Sequence, residues 1–279
     1  MNGSERSFGL AYLTLAPLPA PVIIAVAAEA GYDFVGLRVQ PFSADAPPLH
    51  MEPGSALLAE SVRRLRDTGM RVLDIEMVVL TERSHSSDWR PLLEAGAELG
   101  ASLISVAIAD EDPERARDHL AELTSDASPF GLRPALEPIS YQRVNSLADA
   151  ESLARATGAA LVLDPLHLAR TGTSVEAVQA LPSDLVPVLQ LCDAPAAAPS
   201  GGLPADLQFE ARSHRLAPGA GELPLRDLVR AVAPGTPISV EVPDIALHET
   251  MSDVEFARRN LAAATALVES AAAGTEGTR

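Results

Sequence analysis

From residue 132 onward, four apolar runs each carry near their ends a polar side chain capable of chemistry. LRPALEPI (132–139) carries Glu137, ALVLDPL (160–166) carries Asp164, LVPVLQLC (185–192) carries Gln190 and PISVEVP (237–243) carries Glu241. A single carboxylate at a strand end is more often a helix cap, a surface group or an ion-pair partner. Consecutive strands delivering them to one axis would be a different matter, because gathered carboxylates repel and are costly to keep ionised. A divalent cation relieves that repulsion. Three carboxylates and the amide oxygen of Gln190 make a hard-oxygen site suited to Mn²⁺ or Mg²⁺, with positions left for water or substrate.

The elements that must position these residues follow from hydrophobic periodicity. Four further runs precede them: FGLAYL (8–13), DFVGLRV (33–39), RVLDIEMVVL (71–80) and SLISVAI (102–108). Helix-like stretches separate the runs, and three of them stop at Gly31, Gly69 and Gly100, where a helix C-terminus favours a left-handed residue. Others are expected near 113–123, 146–157, 173–181, 224–233 and 253–272. Strands apolar on both faces, each followed by a helix, indicate a parallel sheet covered by helices. Eight such units in 279 residues fit one closed (β/α)8 TIM barrel over residues 1–272, with 273–279 a disordered tail. Active sites of such barrels sit at the C-terminal ends of the strands. The longest connection, from about Asp193 to Gly221, is rich in Ala, Pro, Gly and Ser and should pass over that mouth.

Composition removes several classes of function. The chain has 47% hydrophobic and 21% charged residues, ordinary for a globular protein with a sizeable core. Its net charge of −17 comes from 38 acidic residues against 21 basic ones, all of them arginine, which argues against nucleic-acid binding and leaves no lysine for a Schiff base. One cysteine, Cys192, excludes an intrachain disulfide and suits a cytoplasmic location. Residues 7–28 are uncharged, but Pro17, Pro19 and Pro21 interrupt them, so a strand, a turn and a helix are expected there rather than a signal or membrane segment.

The motifs LEP (136–138), LDPLH (163–167), LQLCD (189–193), RLAPGAGELPL (215–225) and SVEVP (239–243) resemble the xylose-isomerase-like TIM barrel superfamily, within it the sugar isomerases and epimerases of the ketose 3-epimerase type. The resemblance implies that Glu137, Asp164 and Glu241 bind a metal and that His167 and Arg215 contact substrate. The usual seventh-strand histidine is Gln190 here, and a frequent lysine is Cys192. A neutral amide is a weaker ligand, which implies looser binding and a preference for Mn²⁺ or Mg²⁺ over zinc. The implied activity is isomerisation or epimerisation of a ketose or keto-sugar through an enediolate, with Glu137 and Glu241 as base and acid.

The same intermediate could expel a β-substituent, so a dehydratase or eliminase acting on a keto-cyclitol, dehydroshikimate-like or keto-glycoside substrate is the alternative, and a non-catalytic barrel subunit is a third reading. Metal-dependent endonucleases share the barrel, but they need many histidines and a basic groove. Among other residues, Glu76 could line the mouth or form an ion pair, as could Arg38. His214, beside Arg215, could touch substrate, and Asp193 could hold a neighbouring ligand or arginine. His85 with Ser84 and Asp88 is too local for a hydrolase triad, and nothing places a base near Cys192. The expected partners are a carbohydrate-like small molecule and, in a homodimer, a second copy, with no nucleic acid or membrane.

Overall fold

The computed structural model describes residues 6–41 and 48–273. The expected 273–279 tail lies outside the described residues except for Ala273, which closes the last helix. Eight strands form a closed, all-parallel barrel in sequence order: β1 (Phe8–Leu10), β2 (Phe34–Arg38), β3 (Arg71–Leu80), β4 (Leu103–Ile108), β5 (Arg133–Leu136), β6 (Ala160–Leu163), β7 (Val188–Leu191) and β8 (Ile238–Val240). β1 closes the ring on β8, pairing Gly9 with Ser239 and Leu10 with Val240. Each expected strand run contains one of these strands.

Helices α1 (Ala20–Ala30), α2 (Ala56–Thr68), α3 (Ser86–Leu99), α4 (Pro113–Ala127) and α5 (Leu147–Thr157) cover the first half of the ring. The second half carries α6 (Pro165–Arg170), α7 (Val175–Gln179), α8 (Pro204–Ser213), α9 (Leu225–Ala231), α10 (Ile245–His248) and α11 (Asp253–Ala273). Gly31, the stop of α1, has φ of 97° and returns its N–H to the carbonyls of Ala27 and Ala28, a geometry open to glycine at little cost. The connection from 193 to 221 is not irregular throughout: it contains α8. Its only buried residues are Glu210 and Ala211, while Leu203 just before it and Phe209 within it are 61% and 60% exposed. An apolar stripe that would mark a helix in the sequence is therefore missing.

Strand alternation divides the apolar residues between two layers. Leu136, Leu161, Leu163, Leu189 and Leu191 join the large core beneath the helices. Ala135, Ala160, Val162 and Val188 join Leu103 in a separate cluster on the other face. Gly9 shows how tightly the barrel is filled, since a Cβ there would stand 1.9 Å from Cε2 of Phe34. Among the described residues no helix is long and apolar enough to cross a membrane.

Candidate active site

Two residues beyond Ala135, Val162 and Val188, on the same face, stand Glu137, Asp164 and Gln190. The two-residue period that sends the preceding apolar side chains inward sends these inward too, at the C-terminal ends of β5, β6 and β7. Glu241 follows Ser239 in the same way on β8, its N–H bonded to the carbonyl of Leu191 at 3.1 Å. A cavity of about 110 Å³ opens there, lined among others by Glu76, Glu137, His167, Gln190, Arg215 and Glu241. Seven of the expected site residues are thus within one neighbourhood, counting Asp164, which is 1% exposed and ion-paired to Arg215.

Arg215 organises this neighbourhood. Its side chain is 2% exposed, and Nη1 pairs with Asp164 Oδ2 while Nη2 pairs with Glu241 Oε2 at 2.9 Å. Nε donates to the Ala211 carbonyl at 2.7 Å, fixing the plane of the guanidinium. The other oxygen of Asp164 caps α6, accepting from the N–H of Leu166 at 2.7 Å. Glu241 Oε1 accepts from Gln190 Nε2 at 3.2 Å, which leaves Gln190 Oε1 buried without a hydrogen-bond partner. These contacts separate the carboxyl groups electrostatically. Arg215 and His167 outweigh burial to hold Asp164 below the usual carboxylate range, whereas burial with Arg215 only partly opposing it pushes Glu241 up to about 8. Burial and the charges of Glu241 and Asp164 push Glu137 well above its ordinary value.

His167 is buried on α6, and burial lowers its pKa to about 4, so the ring is neutral at physiological pH. The Ser140 N–H points at Nδ1 from 3.4 Å and its Oγ lies 3.1 Å away. A backbone N–H can only donate, so Nδ1 accepts and Nε2 carries the proton, 3.8 Å from Glu137 Oε1. Tyr141 meets the imidazole edge-on, ring centroids 5.6 Å apart. Neither Ser140 nor Tyr141 was singled out by sequence, although they stand two and three residues past the LEP motif.

The donor set fits a divalent ion. Glu137, Asp164 and His167 offer ligand atoms within 4.8 Å of one another, and the orphaned Gln190 Oε1 is a further oxygen lining the same cavity. This grouping differs from the four-oxygen set expected from sequence in that His167 joins Glu137 and Asp164; Glu241 stands beside it with its oxygens held by Gln190 and Arg215, as those of Asp164 are held by Arg215 and the Leu166 N–H. Were Nε2 to ligate, its proton would sit on Nδ1 with Ser140 Oγ as acceptor, a partner of the kind that orients metal-binding histidines.

Other expected residues fall elsewhere. His214 is exposed, with its ring against Phe209 at 4.6 Å, and does not line the cavity. Arg215, the next residue, turns inward. Asp193 holds backbone rather than a ligand, its carboxylate accepting from the N–H groups of Ala194, Gly219 and Leu223 at 2.9, 2.9 and 3.1 Å. Cys192 packs between Asp164 and Arg215, its thiol pushed up by burial. The His85 N–H donates to Asp88 at 2.9 Å in a cap on α3. Glu76 satisfies both of its sequence readings, pairing with Arg38 at 2.9 Å while lining the cavity. Asp74, two residues earlier on the same face of β3, was missed. Gly36 leaves it room, since a Cβ there would meet its carboxyl oxygens at 3.0 Å, and burial raises its pKa well above normal.

The wall beyond Arg215 is braced by a second buried pair. Arg170 on α6 binds Glu210 on α8 through Nε at 2.8 Å and Nη2 at 2.6 Å, and also donates to the carbonyls of Pro195 and Ala196. Arg212 lines the cavity from the end of α8, its guanidinium 5.9 Å from the Tyr141 ring centroid.

Comparison with known proteins places the fold in a family. No curated protein matches the chain by sequence. Among solved structures, a xylose isomerase-like TIM barrel/4-hydroxyphenylpyruvate dioxygenase fusion protein superposes with a TM-score of 0.75 at 20% identity, over 92% of this chain but 42% of the other. This chain therefore spans less than half the length of that protein. The IolI protein with a bound zinc atom gives a TM-score of 0.77 at 17% identity, covering 95% of this chain and 98% of that one. A D-allulose 3-epimerase from Methylomonas sp., solved with D-allulose, gives 0.65 at 15% identity, covering 92% and 96%. Identities this low carry the fold alone. The family description xylose isomerase-like TIM barrel matches residues 24–263, and the chain belongs to that family.

Proposed function

We propose that this chain is a divalent-metal-dependent isomerase or epimerase of a ketose or keto-sugar, working by proton transfer at the carbon next to the carbonyl. The observation that carries this reading is the pair Glu137 and Glu241, two buried carboxyl groups lining one cavity with pKa values pushed upward. A carboxylate of ordinary pKa is a poor base for a carbon acid; one raised toward neutrality is better matched to both taking and returning a proton. Glu137 takes the proton and Glu241, held by Arg215 and Gln190, returns one. Delivery to the other face gives epimerisation, and delivery to the neighbouring carbon gives aldose–ketose isomerisation. His167 would ligate through Nε2, with its proton moved to Nδ1 against Ser140 Oγ. Mn²⁺ or Mg²⁺, held by Glu137, Asp164 and His167, would polarise the carbonyl as a Lewis acid. The same fold carries a D-allulose 3-epimerase and a zinc-bound barrel, which are precedents for a sugar substrate and a metal in it.

The test is incubation of Mn²⁺-loaded protein with a panel of ketoses, inososes and keto-glycosides in D₂O. Deuterium entering the carbon next to the carbonyl is expected, together with loss of exchange by at least about 10²-fold in Glu137→Gln and Glu241→Gln, the range general acid–base catalysis contributes. Accumulation of an enone absorbance would move the assignment to elimination. Wild-type exchange no faster than that of the variants would refute the proposal.

A further inference from the structure

Across the cavity from Glu137 and Asp164, the end of β2 and the middle of β3, paired there through Arg38 and Glu76, carry a polar cluster that proton transfer does not use. Glu76 is 6% exposed and lines the cavity. Its Oε2 is held by Arg38 Nη2 at 2.9 Å, and the Arg38 guanidinium lies over the Tyr12 ring, 4.7 Å from its centroid. Glu76 Oε1 is buried and has no hydrogen-bond partner. A buried carboxylate oxygen left unsatisfied costs on the order of a hydrogen bond to a charged group, and that cost is recovered when a ligand supplies the donor. Arg38 fixes which oxygen is locked and which is left for the ligand. The ring of Tyr12 backs the guanidinium and favours its place beside the carboxylate.

We infer that Glu76 is a specificity-determining residue whose free Oε1 accepts a hydrogen bond from one hydroxyl of the substrate, with Arg38 as its positioning residue. This rests on the proposed isomerase or epimerase reading and adds to it a requirement: the part of the substrate facing β2 and β3 must present an O–H there. A carboxylate or phosphate at that position would meet Glu76 with like charge and no proton to donate. Sites built to hydrogen-bond a hydroxyl discriminate strongly against analogues lacking it, because the buried group is then left unpaired.

The experiment uses Mn²⁺-loaded full-length protein, with binding of D-fructose, the monodeoxyfructoses and fructose 6-phosphate measured by titration calorimetry alongside deuterium exchange. Expected are D-fructose binding at least as tightly as its phosphate and one monodeoxyfructose binding roughly 10- to 100-fold more weakly, the range for a hydrogen bond to a charged group. In Glu76→Gln, that discrimination should collapse to within about 3-fold, with KM for D-fructose raised and kcat changed far less. Retained discrimination in Glu76→Gln, tighter binding of the phosphate, or no binding of any of these sugars overturns the assignment. Exchange of solvent deuterium into a substrate that does not need Glu76 would overturn it while leaving the proton-transfer reading intact. Arg38→Met, which unlocks Oε2 and lets the carboxylate turn, should weaken D-fructose binding but keep the preference for the hydroxyl, since either oxygen accepts; loss of folding in that variant leaves the Glu76→Gln result to decide.

Discussion

Replacing Arg215 with methionine removes the guanidinium while keeping most of its aliphatic volume. The side chain is 2% exposed and holds Asp164 and Glu241 together, with Nε on the Ala211 carbonyl at 2.7 Å. Breaking a buried pair by deleting one partner costs about 3–5 kcal/mol, and an orphaned carbonyl adds about 1 kcal/mol. At about 2 °C per kcal/mol for a chain of this size, the melting temperature of metal-free protein should fall by roughly 8–12 °C at pH 8. The loss should shrink near pH 5, where Glu241 is already protonated and Asp164, freed of the cation, can begin to accept a proton. Asp164→Asn retains an acceptor for the N–H of Leu166, so a double-mutant cycle with Arg215→Met isolates the charge interaction. Denaturant unfolding in EDTA reads all four corners of the cycle. An Arg215→Met protein within about 1 kcal/mol of wild type at pH 8, or a cycle with no coupling between positions 164 and 215, would refute the idea that this guanidinium holds the site together.

Three further outcomes follow from the same geometry. Glu241 has its pKa raised from 4.5 to about 8 in the folded protein, so its stabilising contribution is complete below 4.5 and is lost as pH rises through 8; His167, lowered from 6.5 to about 4, contributes above 6.5 and loses that contribution as pH falls. Metal-free protein should therefore lose stability between pH 6.5 and 8 in thermal scans, and saturating Mn²⁺, which favours ionised carboxylates, should flatten the slope; equal slopes with and without metal would count against a carboxylate metal site. Ser140→Ala keeps the backbone N–H that meets Nδ1, so His167 in metal-free protein should stay the Nε2–H tautomer in imidazole ¹⁵N shifts, while loss of the Oγ that would orient a ligating ring should weaken Mn²⁺ binding about tenfold; a changed tautomer or an unchanged Mn²⁺ affinity would refute these roles. Gly9→Ala, whose Cβ would lie 1.9 Å from the Phe34 ring, should cost about 1–3 kcal/mol by overpacking, and a neutral result in denaturant unfolding would show that the barrel wall yields there.

The strands were legible because both of their faces are buried, which writes them as continuous apolar runs, and the two-residue period carried Glu137, Asp164, Gln190 and Glu241 to a common interior. The same period applied to LDIE would have paired Asp74 with Glu76. Helix α8 was not legible, because its buried face is made by Glu210 and Ala211 rather than by an apolar stripe. The role of Arg215 at the centre of two ion pairs, and the separation of His214 from the cavity, depend on how the chain turns after α8, and adjacent polar residues give no sign of which one faces inward. The hydrogen bond from Ser140 to His167 spans 27 residues and left no pattern in the sequence.

The Arg170–Glu210 pair has a consequence for traffic through the mouth. Swinging α8 outward would rupture a bidentate pair whose side chains are 1% and 8% exposed, together with two carbonyl contacts. At about 3–5 kcal/mol for a broken buried pair, the swung-out state would be populated at roughly 10⁻² to 10⁻⁴. Helix α8 is thus a wall of the vestibule rather than its door, and a ligand reaching Arg215 passes it without moving it.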